Sequence, residues 1–496
     1  MTESANPCKL SLVFTTMRFA MDVADQPRIA IIGGGIAGLS TAWYLQQQGL
    51  TNIQLFERDQ RLGGKLRTSH VALPDGAGEL LVEAGPDAFI SQKPWGLQLA
   101  RELGLEDQLI STEPARHKVF VLHRGKPEPL PDGINLVVPT EFWPLLRTPI
   151  LSLPGKLRML LDLVLPARQS NTDESLADFV RRRFGAEALD KLAEPLMAGI
   201  HNAESDRQSL EATFPRFIEA ERSHGSVIRG ILAAKLKAGK PKGQQLSPFI
   251  SLRGGIEQLI TALVEQLNVE IRTNCGVQAL RYDPTNASAY QLTLDDGTKI
   301  DADAVVLAVP SFVAAELVAP WAEALAERLK AIRYVSTGTV SLAFRRSETN
   351  MAFDSYGLVI PRSEYRLINA VTINSRKFAG RAPADYMLLR AFVGGSKHPE
   401  VLRLDDQALT QLVRDQLKSI FGLTAEPIWS GVARWNEANP QYDVGHFQRM
   451  DQLEALCPEG LLLCGSGFRG VGIPDCVRQG QATAQAISQL FALANA

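Results

Sequence analysis

"RIAIIGGGIAGLSTAWYLQQQGLTNIQLFERD" runs from Arg28 to Asp59, and its reading decides the fold. Ile29 to Ile32 form an unbroken apolar run, the pattern of a short strand buried on both faces of a sheet. Gly33, Gly35 and Gly38 follow in G-x-G-x-x-G spacing, with Gly34 between the first two. A helix is expected from Ile36 and Ala37 through Leu45, and Gly49 suits its C-terminal end. "NIQLFE" then reads as a second strand that ends in Glu57.

Each part has a physical purpose. Gly33 permits a tight turn, Gly35 lets the backbone approach a pyrophosphate, and Gly38 lets the helix pack closely on the strand. The helix N-terminus offers free N–H groups at the positive end of its dipole. Glu57 lies 19 residues beyond Gly38, where a carboxylate can accept hydrogen bonds from a ribose diol. A lone G-x-G-x-x-G says little. Strand, helix, second strand and acid in this order argue for a dinucleotide-binding α/β domain, with contacts from Gly33, Gly34, Gly35, Ile36, Ala37, Gly38 and Glu57.

"ERDQRLGGKLRT" continues from Glu57 to Thr68, so Arg58, Gly64 and Lys65 follow the ribose acid directly. It resembles the R-x-G-G-[RK]-x-x-[ST] signature of FAD-dependent amine oxidases and their relatives. Lys65 stands where arginine is commoner, and the positive charge is kept. "VEAGPDAF", Val82 to Phe89, also resembles that superfamily, in which a Gly-Pro turn runs past the flavin. Taken alone, Gly85, Pro86, Asp87 and Ala88 would read as an ordinary turn. Their position after the glycine doublet favours FAD as the cofactor.

With 496 residues the chain is too long for one ordinary core, and two or three domains are expected. Apolar residues are 45% and charged residues 21%, normal for a globular protein. The net charge of −2 argues against a nucleic-acid partner. Cys8, Cys275, Cys457, Cys464 and Cys476 are scattered without C-x-x-C spacing, so neither a metal site nor a disulfide framework is expected. No apolar run reaches the ~18 residues of a transmembrane helix. Residues 1–27 read as a disordered extension or a start-site artefact rather than a targeting peptide, with Met17 and Met21 as alternative starts.

Residues 101–250 look largely helical, interrupted by a hairpin in "HKVFVLHRGKPEPLPDG" (His117 to Gly133). "PGKLRMLLDLVLPAR" (Pro154 to Arg168) is amphipathic, with Leu157, Leu160, Leu161 and Val164 on one stripe. That pattern suits a core helix, the commoner case, and also a helix lying on a membrane surface. Arg181 to Arg183 read as a solvated helix face. "VEIRTNCGVQAL" and "DGTKIDADAVVLAVP" supply strands that return to the cofactor domain, the second ending in the buried run Ala304 to Val309. Strands around 338–344, 356–361, 366–373 and 386–394 read as one mainly antiparallel sheet, a platform for substrate.

"EPLMAGIHNAESDRQSL" (Glu194 to Leu210), "SLRGGIEQLI", "LLRAFVGG", "RWNEANPQYDVGH" (Arg434 to His446) and "GVGIPDCVRQGQ" occur in the order found in porphyrinogen oxidases. The chain resembles the HemY-type protoporphyrinogen and coproporphyrinogen oxidases over about residues 28–490. The resemblance implies an α/β architecture: a discontinuous Rossmann-like FAD-binding domain (28–100, 250–315 and 430–496), a helical subdomain (101–200) and a mixed-sheet substrate-binding domain (201–249 and 316–429). Membrane association of the helical part stays open. It also implies non-covalent FAD, because "RWNEANPQYDVGH" lacks the cysteine that carries flavin in monoamine oxidases. The expected substrate is protoporphyrinogen IX or coproporphyrinogen III, and the expected place is the cytoplasm or the inner face of the membrane. A homodimer is compatible with it.

The resemblance adds Arg58, Gly64, Lys65, Gly85, Pro86, Asp87, Ala88, Val277 and Trp435 to the cofactor contacts. Flavin N5 would take hydride from a porphyrinogen carbon, and O2 would reoxidise the cofactor to give hydrogen peroxide in haem biosynthesis. No protein nucleophile is then needed, and His201 and His224 read as structural. Lys118 sits where relatives carry a basic residue near a propionate, and Val335, Ile373 and Phe392 could wall the substrate, although core packing is the more ordinary role for each. An amine oxidase or a carotenoid desaturase of the same superfamily remains as an alternative, as does a protein that binds FAD or porphyrin without turnover. The paired aromatics of an amine-oxidase cage are not evident, since Phe468 stands alone in its motif.

"CGSGFRGVGIPDCVRQGQ", Cys464 to Gln481, is a second glycine-rich turn before a helix. Pro474 suits a first helical turn, and Val477, Gly480, Ala484, Ile487 and Phe491 recur at helical spacing. By resemblance, Gly465, Val471, Gly472 and Ile473 face the flavin's N1–C2=O edge, where negative charge gathers on reduction. Cys464 and Cys476 read as packing residues.

Overall fold

The protein is described by a computed structural model covering residues 26–74, 76–113, 119–201, 203–238, 247–351 and 353–494. The expected N-terminal extension, apart from Gln26 and Pro27, lies outside the described residues, and so does Lys118.

The chain opens with β1 (Ile29–Ile32), α1 (Ile36–Gln47) and β2 (Ile53–Phe56). A hairpin, β3 (Val119–His123) and β4 (Lys126–Pro129), leads into helices α2 (Phe142–Arg147), α3 (Leu153–Leu160), α4 (Leu176–Arg183) and α5 (Val227–Ala238). Strands β5 (Glu270–Arg272) and β6 (Ala304–Leu307) precede β7 (Tyr334–Arg345), β8 (Gly357–Val359), β9 (Ala370–Thr372), β10 (Tyr386–Gly394) and β11 (Trp429–Pro440). Helix α6 (His446–Leu456), β12 (Leu461–Leu463) and α7 (Ile473–Ala494) close the chain.

Five of these strands form a parallel sheet in the order β5-β2-β1-β6-β12. Strand β1 shows why its run has no polar residue. Ile29 and Ile31 enter one core with α1 and α7, whereas Ala30 and Ile32 enter a second core on the other face. Helices from the two ends of the chain meet on the first face. At Gly480 of α7 an added Cβ would lie 2.9 Å from the Thr41 backbone nitrogen of α1.

A seven-stranded sheet runs β11-β7-β10-β9-β8-β3-β4, and only the β8–β3 pair is parallel. The β3–β4 hairpin therefore joins this sheet rather than the helical part, and β11 crosses the boundary drawn at residue 430. Composition along the chain shows where strands begin and end, but not which distant strand each one pairs with. The residues of one face, including Val340, Leu342, Leu389, Ala391 and Val393, pack into an apolar core. Alternation along the strands puts Thr337, Thr339, Arg390, Phe392 and Trp435 together on the other face.

Two readings of the helical part are corrected. Arg183 is fully buried rather than solvated: it pairs with the buried Asp162 carboxylate and donates to the Asp162, Leu165, Pro166 and Gly225 carbonyls. A buried guanidinium persists only when its donors are filled in this way. Of the stripe on 154–168 only Leu160 packs against the core. Leu157, Leu161 and Val164 are exposed, Val164 to 75%, while Lys156 and Met159 turn inward. The polar residues are used as caps. Lys156 Nζ donates to Leu146 O at 2.8 Å, and Arg158 donates to the last three carbonyls of α4. Among the described residues no helix is long and apolar enough to cross a membrane.

Candidate active site

The first turn explains its glycines sterically. Gly33 has φ +111°, and a Cβ there would lie 2.5 Å from Ala308 O. At Gly38 a Cβ would lie 2.0 Å from Gly33 O, inside contact distance. At Gly35 it would meet nothing within 4 Å, so this is the one position in the motif open to a ligand. No side chain caps the N-terminus of α1, and its first turn has no acid, so its donors and dipole face that opening unopposed. Glu57 accepts from Gly34 N–H at 2.8 Å and from Asp59 N–H at 3.0 Å, which fixes its carboxylate at the mouth of the turn. Cys275 N–H donates to Glu57 O at 2.9 Å, and a Cβ on Gly276 would lie 3.6 Å from Arg58 Cβ. The Cys275–Gly276 turn that leads into Val277 thus lies beside Glu57 and Arg58.

The glycine doublet docks on this turn: Gly63 N–H donates to Gly34 O at 2.8 Å, and Gly64 abuts Gly35. Lys65 reaches across to the far end of the chain, donating to Ala438 O at 2.7 Å and Ser466 Oγ at 3.2 Å. Burial lowers the pKa of this ammonium, which has no carboxylate partner among the described residues. Gly85 lies against Lys65 so closely that a Cβ would be 2.0 Å from Lys65 O.

The run Ala84–Ala88 is held from the large sheet. Trp435 Nε1 donates to Ala84 O at 2.9 Å, and Arg390 donates to Glu83 O at 2.8 Å and Gly85 O at 2.7 Å. Asp87 is buried against Lys377 at 2.9 Å and Arg390 at 3.4 Å. Burial pushes the Asp87 carboxyl up, but Lys377, Arg390 and Arg381 outweigh it and hold its pKa at about 2. Arg390 also lies over the Phe392 ring, 4.7 Å from its centroid. The polar face of the sheet is therefore pressed onto the Gly-Pro-Asp run beside the first turn.

The second turn follows β12. Gly465 and Gly470 have φ +131° and +133°, and α7 begins at Ile473. Asp475 in its first turn pairs with Lys93 at 2.6 Å. A Cβ on Gly465 would lie 3.9 Å from Ala37 Cβ, so the second turn stands against the start of α1. Burial pushes the Cys464 thiol up to about 11 and the Cys476 thiol up to about 12, so both are unreactive packing groups. Phe468 is buried in the second core and lines no opening.

The segments that carry the cofactor residues expected from sequence, 33–38, 57–65, 85–88, 277, 435 and 465–473, thus lie beside one another. The substrate residues divide. Val335 and Phe392 are half-buried on the sheet. Ile373 is 1% exposed and sits in the apolar core on the opposite side, so it is withdrawn as a wall residue. Sequence reasoning missed Lys377 and Arg390, whose partners at Glu83 to Asp87 lie 290 to 307 positions away, and Arg381, whose partners at Ser251 to Arg253 lie 128 to 130 positions away. It also missed Tyr442 and His446, although both stand in a motif singled out for other reasons.

Residues 36–488 match the family model described as flavin containing amine oxidoreductase. The chain belongs to that family. It is 35% identical over 480 residues to coproporphyrinogen III oxidase of Bacillus subtilis (strain 168), covering 93% of this chain and 98% of the relative. It is 28% identical to the chloroplastic protoporphyrinogen oxidase of Oryza sativa subsp. japonica, covering 92% and 87%. A crystal structure from Exiguobacterium sp. 255-15, provisionally named protoporphyrinogen oxidase, superposes with a TM-score of 0.81 at 31% identity, covering 93% and 99%. The protein is accordingly a flavin-containing oxidoreductase. The open cradle at Gly35, the uncapped α1 N-terminus and Lys65, which has no carboxylate partner among the described residues, fit an anionic, phosphate-bearing cofactor of that kind.

Proposed function

We propose that the protein oxidises a porphyrinogen to the porphyrin, in the haem-forming sequence, with coproporphyrinogen III the preferred substrate over protoporphyrinogen IX. The observation that carries this is 35% identity to a coproporphyrinogen III oxidase across nearly the whole of both chains. Phe392, half-buried on the sheet face that holds the Gly85 run, supports it as a wall for the macrocycle. The cofactor is FAD, held non-covalently: it supplies a two-electron acceptor, with three O2 consumed and three H2O2 formed per porphyrin. Gly33–Gly38 and the α1 N-terminus bind the pyrophosphate, and Glu57 binds a ribose. Val471 and Ile473 offer backbone N–H groups to the electron-rich edge of the ring system. Phe392 and Val335 orient the macrocycle against Gly85, and Lys118 receives a propionate.

Porphyrin fluorescence decides the matter. FAD-loaded protein given coproporphyrinogen III and air should form fluorescent porphyrin faster than with protoporphyrinogen IX, releasing about three peroxides per porphyrin by that stoichiometry. Peroxide from polyamines without porphyrin would make it an amine oxidase. Tight porphyrin binding without turnover would make it a carrier.

A peripheral contact with the inner face of the membrane belongs to the same reading. Phe142 and Trp143 of α2, Leu153 and Leu157 of α3, and Leu161 and Val164 just beyond it are all exposed, Trp143 to 66%. Lys235, which lies 3.9 Å from Glu141, brings the basic end of α5 beside the start of α2. Aromatic and aliphatic groups next to lysines suit an anionic bilayer surface. Wild-type protein should sediment with vesicles of anionic phospholipid and the double variant Trp143→Ser/Leu161→Ser should not. Equal sedimentation, or a dimer that buries these residues in solution, would overturn this.

A further inference from the structure

Tyr442 and His446 form a buried pair that the proposed reaction does not use. They are 5% and 1% exposed, and their rings stack with centroids 3.7 Å apart and planes 13° from parallel. The Tyr442 hydroxyl donates to Ser466 O at 2.9 Å and accepts from Gly470 N–H at 2.7 Å. His446 Nε2 lies 2.6 Å from Phe468 O. A carbonyl only accepts, so this nitrogen carries the proton. Residues 466, 468 and 470 of the second turn are therefore held by two side chains stacked on each other.

The turn is gripped from its other side as well. Gln479 accepts from Gly465 and Arg469 N–H at 3.4 and 3.3 Å and donates to Gly470 O at 3.2 Å. Asp475 accepts from Gly472 N–H at 3.3 Å. With these bonds made, Val471 and Ile473 N–H have no acceptor among the described residues. Donors stabilise charge that develops during a reaction only when their positions are fixed beforehand.

We propose that Tyr442 and His446 are positioning residues which, as one stacked unit, set where the Val471 and Ile473 N–H groups meet the electron-rich edge of the bound cofactor. This rests on the reading that Gly465–Ile473 faces the flavin.

Tyr442→Phe deletes both hydroxyl bonds and keeps the ring stack. The FAD-loaded variant should have a more negative flavin potential and a kcat lowered about 10-fold, with KM within about twofold of wild type. His446→Gln keeps a donor for Phe468 O and should stay close to wild type, whereas His446→Leu should behave like Tyr442→Phe. A merely structural role would lower Tm in all three and leave the potential and the flavin absorption unmoved, and that result would overturn the proposal. If Tyr442→Phe does not fold, equal potentials in His446→Leu and His446→Gln overturn it instead. Gly472→Glu tests the underlying reading separately. A normal flavin spectrum and potential in that variant would sink the reading itself. Lost or altered flavin there, with an unmoved potential in Tyr442→Phe, would sink only the positioning role.

Discussion

Gly33–Gly38 and Gly465–Ile473 each follow a strand of the parallel sheet and open a helix, yet they are held by different means. The first turn is shaped by its own glycines: a positive φ at Gly33, a 2.0 Å approach at Gly38 and open space at Gly35. Glu57 is the side chain that touches its backbone at Gly34. The second turn is gripped by Tyr442, His446, Gln479 and Asp475. A turn that binds a fixed anion needs little beyond free N–H groups at a helix start. A turn that must aim donors at a charge that comes and goes needs a frame, because misplaced donors lose their effect on the barrier.

The difference is broken most severely at Gly38. In Gly38→Val the new Cβ meets backbone at Gly33, and neither side can yield without moving β1 or α1. The loss should be about 3 kcal/mol or more, enough to deprive the cell of soluble protein. Thermal unfolding within 1 kcal/mol of wild type would contradict the steric account.

Gly35→Ala should behave in the opposite way, and the contrast isolates binding from folding. Gly35 has φ −76° and an empty Cβ position, so alanine fits the backbone. Reduced freedom of the unfolded chain favours alanine by about 0.4–1 kcal/mol, while alanine is the poorer N-cap by a similar amount. The cofactor-free protein should therefore keep its stability within about 1 kcal/mol, and FAD affinity should fall about 10-fold or more as the methyl occupies the pyrophosphate's approach. Unchanged affinity by titration would remove the phosphate from this turn.

The same contrast explains how much could be read from sequence. The β1–α1–β2 unit was legible residue by residue, because its constraints are local: four apolar residues, three spaced glycines and an acid at a fixed distance. The second turn was legible as a glycine-rich helix start, but its frame was not. Tyr442 and His446 act at Ser466, Phe468 and Gly470, more than twenty positions away, and nothing in the spacing marks them. Arg183 and the stripe on 154–168 were misread for a related reason. Arginine and lysine there bond to carbonyls of other elements, which turned the polar residues inward and left Leu157, Leu161 and Val164 outside. Periodicity tells which residues share a face. It does not tell which face finds partners.

A further difference titrates. Burial lowers the His446 pKa to about 4, against an unfolded value of about 6.5. Arg449 and Arg469 push it the same way, and the bond to Phe468 O and the Asp443 charge oppose them. Above pH 6.5 both states are neutral and the group has no effect. Between pH 6.5 and 4 the unfolded chain takes up a proton that the folded one refuses, so stability falls as the pH falls, and below about 4 the loss is complete. From pH 7 to pH 5 this amounts to about 2 kcal/mol. His446→Gln has no such proton to refuse. Its unfolding free energy, measured in denaturant at the two pH values, should drop by about 2 kcal/mol less than that of wild type over the same interval. Parallel losses in the two proteins would mean that the imidazole is not buried neutral against Tyr442, and the second turn would lose the clamp that distinguishes it from the first.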